Sequence, residues 1–428
     1  MALGIATAEG REAQRSLAVL RTLFGPAFAE NFAIRLWDGT VVPAHATEQF
    51  TLVVNTPFAL RAAFLPPLDL NPGRAFVEGW IDLEGDAEAG IDGFARAIDG
   101  LSKTKLPGLL GRLLRLPKPP PVAGARQAKL RGPRHSKRRD AAAIGFHYNQ
   151  PIAFYRAFLD PEMVYSCAYF DDGVTALADA QVAKIDHLLR KVRLQPGETL
   201  LDIGCGWGAL VIRAAQKFGA KVLGVTLSTQ QYAEGQRRIA AADIGDRAGI
   251  ELRDYRDLGG RTFDKIVSVG MVEHVGRERL ATYFSTAYRA LRTGGLFLNH
   301  GIAQLKNEAG YRVSGFMGRY VFPDGDLLPI AMMTREAERA GFEVRDVENL
   351  REHYARTLRE WVRNLEANRD SAIRATDERT YRIWRLYMAG SAQGFWRGRM
   401  ALFQSLLAKP GADGNASVPP TRRELYTA

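Results

Sequence analysis

The spacing of apolar and polar positions divides the chain into two differently patterned parts. Phe32-Ala-Ile-Arg-Leu-Trp37 alternates as a strand does, Asp38-Gly39 supplies a tight turn, and Val41-Val42 follows. Phe50-Thr-Leu-Val-Val-Asn55 reads as a second strand, Pro57 to Leu65 as a helix, and Phe76-Val-Glu-Gly-Trp-Ile-Asp-Leu83 as a further strand. Together these predict a small amino-terminal α+β domain over 15–100, with no catalytic cluster.

From about residue 144 strand and helix alternate. Leu177, Val182, Ile185, Leu188, Leu189 and Val192 mark one face of a helix. Strands are expected at Thr199–Ile203, Lys221–Thr226, Ile250–Arg253, Phe263–Val269 and Leu296–Ile302, with a helix from Gly208 to Phe218 after the first. This alternation predicts an α/β fold, a Rossmann-like doubly wound sheet that binds ligands at the carboxyl ends of its strands. After Arg351 the pattern becomes helical and aromatic, with Trp361, Trp384, Tyr387, Met388, Phe395, Trp396 and Phe403. These carboxyl-terminal helices are read either as packed core or as the wall of an apolar substrate channel. The tail, 409–428, is expected to be disordered.

Composition changes this picture in two places. A chain of 428 residues allows two or three domains with ample core. The only cysteines, Cys167 and Cys205, exclude a disulfide framework and fit a reducing cytoplasm. No apolar run is long enough to span a bilayer, and the short start Met-Ala-Leu-Gly-Ile-Ala-Thr-Ala lacks the basic leader of a signal peptide. The net charge of +11 is concentrated: between Leu101 and Gly145 twelve Lys and Arg residues face the single acid Asp140, among six prolines. Residues 101–143 therefore read as a basic, partly disordered linker. It could be simply solvated, touch an anionic membrane or touch nucleic acid. Each basic residue near an anionic bilayer contributes about 1 kcal/mol. No aromatics interleave the charges, which argues against nucleic acid.

The candidate chemistry gathers at the predicted carboxyl edge of the sheet. Leu201-Asp-Ile-Gly-Cys-Gly-Trp-Gly208 turns a strand through three glycines into a helix. Such a turn sets backbone N–H groups and a helix N-terminus against a ligand. Asp202 would repel a pyrophosphate but welcome an ammonium or sulfonium group, which points to S-adenosylmethionine (SAM). Gly204, Gly206 and Ala209 also satisfy a dinucleotide pattern, yet the next strand ends without its expected acid. The polar groups of Thr226, Ser228 and Gln231 would contact the ribose and methionine instead. Tyr165-Ser166-Cys167, Tyr255-Arg256, Glu273-His274, His300-Gly301-Ile302 and His353-Tyr354 fall at the same edge. Singly, each has a plain structural explanation: Cys167 as a small apolar residue, Glu273 as a helix cap, His300 as a core histidine. No metal site is expected, since the spacing of Cys and His matches no zinc pattern.

Together these segments resemble the cyclopropane-fatty-acyl-phospholipid synthase family, which includes the mycolic acid cyclopropane synthases. The resemblance lies in Gly145-Phe-His-Tyr148, Tyr165-Ser-Cys-Ala-Tyr-Phe170, Leu201–Gly208, Gly224-Val-Thr-Leu-Ser228, Asp254-Tyr-Arg-Asp-Leu258, Val267-Ser-Val-Gly-Met271, Glu273-His-Val-Gly276 and Tyr320-Val-Phe-Pro-Asp-Gly325, in that order. Val77-Glu-Gly-Trp-Ile81 looks like part of the amino-terminal module of the long bacterial members, a lipid-carrier-like or dimerisation module. The resemblance implies a class I SAM-dependent methyltransferase domain over 144–408. Its reaction would be methyl transfer to a cis double bond of a phospholipid acyl chain, with a bound bicarbonate ion as the base that allows ring closure. Glu273, His300 and Tyr354 would hold that ion by side chains, and Cys167 and Ile302 by backbone groups. Tyr165, Ser166, Asp202, Gly204, Gly206, Gly208, Thr226, Leu227, Gln231, Tyr255 and Arg256 would surround SAM. The implied setting is a homodimer, cytoplasmic and peripheral at the inner face of an anionic membrane, with no nucleic-acid partner. Asn149-Gln-Pro-Ile-Ala153 departs from the family pattern after His-Tyr, which leaves a methyl-branched or methylene product as the alternative. A non-catalytic lipid- or nucleic-acid-binding protein on a degenerate methyltransferase fold is the third reading.

Overall fold

A computed structural model of the chain describes residues 8–102, 104–121, 130–305, 311–416 and 418–423. Residues 1–7 of the expected non-signal start, Lys103, Arg126 and Lys129 of the expected linker, and Ser417 and residues 424–428 of the tail lie outside them. The chain forms two compact units.

One unit comprises residues 1–127, 314–321 and 377–393, so it extends past the expected 15–100 domain into two later segments. Its sheet holds strands β1 (Phe32–Leu36), β2 (Val41–Val42), β3 (Phe50–Val54) and β4 (Ile81–Gly85) in the order β2-β1-β3-β4. The hairpin expected at Asp38-Gly39 is present: Gly39 takes φ +86° and β1 pairs antiparallel with β2. The strand expected from Phe76 begins only at Ile81. Pro72 sits in the first turn of a helix, Asn71–Val77, that absorbs Phe76, and Gly79 at φ +72° then turns the chain into β4. Leu20, Ile34, Leu52, Val54 and Leu60 are fully buried at the centre of this unit. Arg382 ties the later segment in, donating to the Phe76 and Ile81 carbonyls and pairing with Asp82 at 2.7 Å.

The other unit comprises 128–313, 322–376 and 394–428. Its strands are β5 (Thr199–Ile203), β6 (Lys221–Thr226), β7 (Ala248–Leu252), β8 (Phe263–Val269), β9 (Leu291–Gln304), the short pair β10 (Tyr311–Arg312) and β11 (Asp326–Leu327), then β12 (Glu343–Asn349) and β13 (Met400–Ala408). The seven-stranded sheet runs β12-β13-β9-β8-β5-β6-β7, with β5 to β9 parallel and β13 antiparallel to both neighbours. The expected doubly wound α/β sheet is therefore present. Its order reverses between β8 and β6 around β5, which opens a crevice at the carboxyl ends.

Three expectations are corrected. Phe403 belongs to β13, not to a helix. Nine nearly continuous apolar positions carry no alternation when a strand is buried on both faces, so periodicity does not separate it from a helix. The 101–143 stretch is not simply a disordered linker. Leu106–Leu114 is a helix that buries Leu109 and Leu113, and a second helix, Lys137–Tyr148, starts inside the same stretch. The tail expected to be disordered is held as well: Lys409 donates to the Tyr288 and Leu291 carbonyls, Val418 packs on the core, and Arg422 pairs with Asp346 at 2.7 Å. Among the described residues no helix is long and apolar enough to cross a membrane.

Candidate active site

The turn after β5 follows from its glycines. Gly204, Gly206 and Gly208 all take positive φ, at +83°, +54° and +86°. A Cβ on Gly204 would lie 2.4 Å from Met271 Cγ, so only glycine fits. The Gly204 and Cys205 N–H groups donate to the Val225 carbonyl, which locks the turn onto β6. Cys205 is a small packed residue, its thiol under Gly224. Gly208 opens the helix Ala209–Phe218. Asp202 is buried with no partner on Oδ1, and burial pushes its carboxyl up to about 7 against the pull of Lys184. An unpartnered carboxylate oxygen beside a glycine turn and a helix N-terminus fits a cationic ligand such as SAM.

The neighbouring strand ends close around this turn. Thr226 Oγ1 donates to Gln231 Oε1 at 2.8 Å, Ser228 caps the helix Thr229–Ala241 through the Gln231 N–H, and Leu227 is half-buried between them. Ser228 Oγ donates to Asn149 Oδ1 at 2.8 Å, which brings the first residue of the departing segment to this edge. Tyr255 is buried after β7, in edge contact with Tyr283. Arg256, expected at SAM, commits its guanidinium to Asp254 and Asp140 and to the His135 carbonyl. It thereby fastens the β7 loop to the helix Lys137–Tyr148.

Beneath the turn lies a lysine that sequence reasoning missed. Lys184 is 2% exposed and donates to Ser166 Oγ at 2.8 Å, while Gln181 Nε2, one helical turn earlier, donates to the Ser166 carbonyl at 2.8 Å. Burial lowers the ammonium to about 8 against the charges of Cys167, Asp160 and Asp202. Its legible trace was a Gln and a Lys three apart on the apolar face of a helix. We expect Lys184→Met to weaken SAM binding about tenfold at neutral pH, because Asp202 loses the cation that favours its ionised form. Titration calorimetry across pH would show the binding midpoint moving above about 7. An unmoved midpoint would assign Lys184 a packing role alone.

The ends of β8 and β9 hold the second group. Glu273, in the short helix Val272–Val275, accepts the Ile302 N–H on Oε1 at 2.6 Å, while its Oε2 is buried with no partner. Burial pushes this carboxyl up to about 7. His300, paired with Gln404 across β9 and β13, accepts that amide on Nδ1 at 3.3 Å. A neutral ring then carries its proton on Nε2, which is also buried and unpartnered. Burial holds His300 well below the ordinary imidazole range, so it stays neutral. One orphaned acceptor and one orphaned donor suit bicarbonate, which has an O–H to give and oxygens to receive. Ile302, expected to offer a backbone group to that ion, gives its N–H to Glu273 and so orients that carboxylate. Gln404 was missed because β13 had been read as helix; its trace was two polar residues, Gln404 and Ser405, in an apolar run.

Cys167 is fully buried, its thiol turned to the Ala168 and Leu350 carbonyls and pushed up by burial. It is no nucleophile. Tyr354 is buried, its ring 4.6 Å from Phe395 and edge-on to Trp361. Trp361 lies 5.0 Å from Tyr165, whose hydroxyl meets His147 Nε2 at 3.2 Å. His353 accepts the Phe170 N–H and stacks on Tyr169. The expected aromatic wall is divided. Trp361 and Phe395 pack on Tyr354 in this unit and Tyr165 on Trp361, while Trp384, Tyr387 and Met388 belong to the other unit and Trp396 is 53% exposed. Among the described residues no His, Cys, Asp and Glu group could hold a metal.

Comparison with known proteins follows the same lines. A sequence model of mycolic acid cyclopropane synthetase matches residues 135–405. The chain is 42% identical over 398 residues to a probable fatty acid methyltransferase of Pseudomonas putida, spanning 92% of this chain and 95% of that one. It is 40% identical over 265 residues to cyclopropane mycolic acid synthase 1 of Mycobacterium tuberculosis, spanning 59% and 92%. The solved structure of mycolic acid cyclopropane synthase CmaA1 complexed with SAH and CTAB superposes with a TM-score of 0.59 at 37% identity, covering 62% of this chain and 97% of that one.

Proposed function

The chain belongs to the mycolic acid cyclopropane synthetase family of SAM-dependent methyltransferases, and from that premise we propose that it methylates the cis double bond of an unsaturated phospholipid acyl chain and closes a cyclopropane ring. The observation that carries this reading is the buried pair of orphaned atoms, Glu273 Oε2 and His300 Nε2, at the strand ends next to the glycine turn.

The alkene π pair bonds to the methyl carbon as the carbon–sulfur bond breaks toward sulfur. A proton leaves the transferred methyl, and its C–H pair closes the ring. When bound, SAM supplies the methyl and bicarbonate accepts the proton. Asp202 would face the cationic donor, and the Gly204–Gly208 turn would let it approach closely. Glu273 Oε2 would accept from the bicarbonate hydroxyl and His300 Nε2–H would donate to its oxygen. Tyr354, Trp361 and Tyr165 present ring faces that favour a transient cation and exclude water that would quench it. An alkene is a weak nucleophile, so positioning supplies most of the acceleration.

We place this chemistry at the inner face of an anionic membrane, where such chains reside. Incubation with SAM and phosphatidylglycerol vesicles bearing a cis-monounsaturated chain is expected to add one CH2 unit to that chain, read by fatty-acid mass analysis. Folded, SAM-loaded protein that leaves the lipid unchanged would overturn the proposal. A second reading, methyl transfer without ring closure, is favoured by Asn149, which bonds Ser228 in a segment that departs from the family pattern.

A further inference from the structure

Eight large apolar side chains stand exposed among the described residues, and three of them lie on one short helix: Leu106 at 44%, Leu110 at 44% and Leu114 at 51%. At about 100° per residue, positions four apart fall in a single row. The adjoining row, Leu109 and Leu113, turns inward and is buried, with Leu116 beside it. The helix is therefore anchored through one half of its apolar arc while the other half is left uncovered by the described residues. Arg61 reinforces the anchor by donating to the Leu114 and Leu116 carbonyls at 3.1 and 2.7 Å. The charge along this segment of chain has one sign. Lys105, Arg112, Arg115 and Lys118 are all exposed, and no acid occurs between Leu101 and Arg139.

We infer that the Leu106–Leu110–Leu114 row with its flanking basic residues is a docking face for an anionic lipid bilayer. A leucine row on a helix fixed to a folded unit can enter the headgroup–acyl boundary, and the exposed Lys and Arg side chains complement anionic headgroups. A second protein copy would cover the leucines equally well, but the same basic residues would then meet one another across a symmetric contact and repel. The single-sign charge selects the bilayer. Leucine provides insertion and Lys and Arg provide attraction, so the two contributions are separable.

This inference rests on the reading of a bilayer-borne substrate, but vesicle binding needs neither SAM nor turnover. The full chain is expected to co-sediment with phosphatidylglycerol vesicles far more than with phosphatidylcholine vesicles, and less as salt rises. Leu106→Gln/Leu110→Gln/Leu114→Gln should weaken that binding at least about tenfold while melting temperature and SAM affinity stay unchanged. Leu110→Trp gives an independent reading: its added fluorescence, relative to the parent chain, should shift to the blue on phosphatidylglycerol vesicles. Undiminished binding of the triple variant, or an unshifted Trp signal, would overturn the inference. So would a change of oligomeric state in the triple variant without lipid, which would assign the row to a second copy. A chain that binds vesicles through this row yet transfers no methyl would count against the proposed reaction and leave the docking face standing.

Discussion

Glu273→Gln is expected to lower methyl transfer by about a hundred- to ten-thousand-fold, the range that correctly placed proton-handling groups contribute, while SAM affinity stays within about threefold, under ~1 kcal/mol. The Gln oxygen can still accept the Ile302 N–H. Its amide nitrogen then stands where Oε2 stands now, a donor in place of an acceptor. A bicarbonate hydroxyl that must donate then finds no acceptor at that position. The same substitution should stabilise the free protein at alkaline pH. Burial raises the Glu273 carboxyl from 4.5 to about 7, so its contribution to stability is full below the unfolded value and is lost as pH rises through about 7. A neutral amide escapes that loss, and a gain of about 1–3 kcal/mol is expected at pH about 8 relative to the parent. Thermal melts at acid and alkaline pH read the stability; single-turnover assays read the chemistry. Equal loss of SAM affinity and rate would move Glu273 from the anion pocket to the donor site.

Asp202→Asn is the second large effect, and it should fall on binding. The carboxylate is the one acid in the strand end under the glycine turn, and a charged hydrogen-bond partner is worth about 1.5–3 kcal/mol. SAM affinity is therefore expected to fall about ten- to a hundredfold. In the parent chain burial raises Asp202 to about 7, so a cationic ligand should bind more tightly as pH rises through that value and the carboxylate forms. Lys184, lowered to about 8, begins to lose its charge at the upper end of this window. Calorimetric SAM titration between pH about 6 and about 8 should show a slope in the parent and a nearly flat profile in Asp202→Asn. A parallel slope in both would remove Asp202 from the donor site.

Much of the sheet was legible because parallel strands bounded by glycine turns leave an unambiguous alternation. β5, β6 and β8 fall where the pattern put them. The glycine turn announced itself because three positive φ angles require glycine. The pattern failed where tertiary burial outweighed local signal. Met400–Ala408 is apolar because it is flanked by β12 and β9, and nothing local distinguishes it from a buried helix. Losing that strand also concealed Gln404, whose amide sets the His300 tautomer. Lys184 was hidden for a related reason: a lysine beside an apolar stripe normally points to water, and only the folded loop at Ser166 shows what it meets. Ile302 and Arg256 were illegible for the same reason, since both spend their hydrogen bonds on protein groups that only the fold brings beside them.

Methyl transfer followed by ring closure leaves its signature in the hydrogens of the transferred methyl. The protein is supplied with SAM bearing a CD3 group and with phosphatidylglycerol vesicles of one cis-monounsaturated chain. The released fatty acid is analysed by mass and by proton and deuterium NMR. The expected product is a chain that has gained one CD2 unit, with two of the three deuteriums retained on a cyclopropane carbon that resonates upfield of other aliphatic signals. A chain that keeps all three deuteriums in an intact CD3 branch, with no cyclopropane signal, would contradict it.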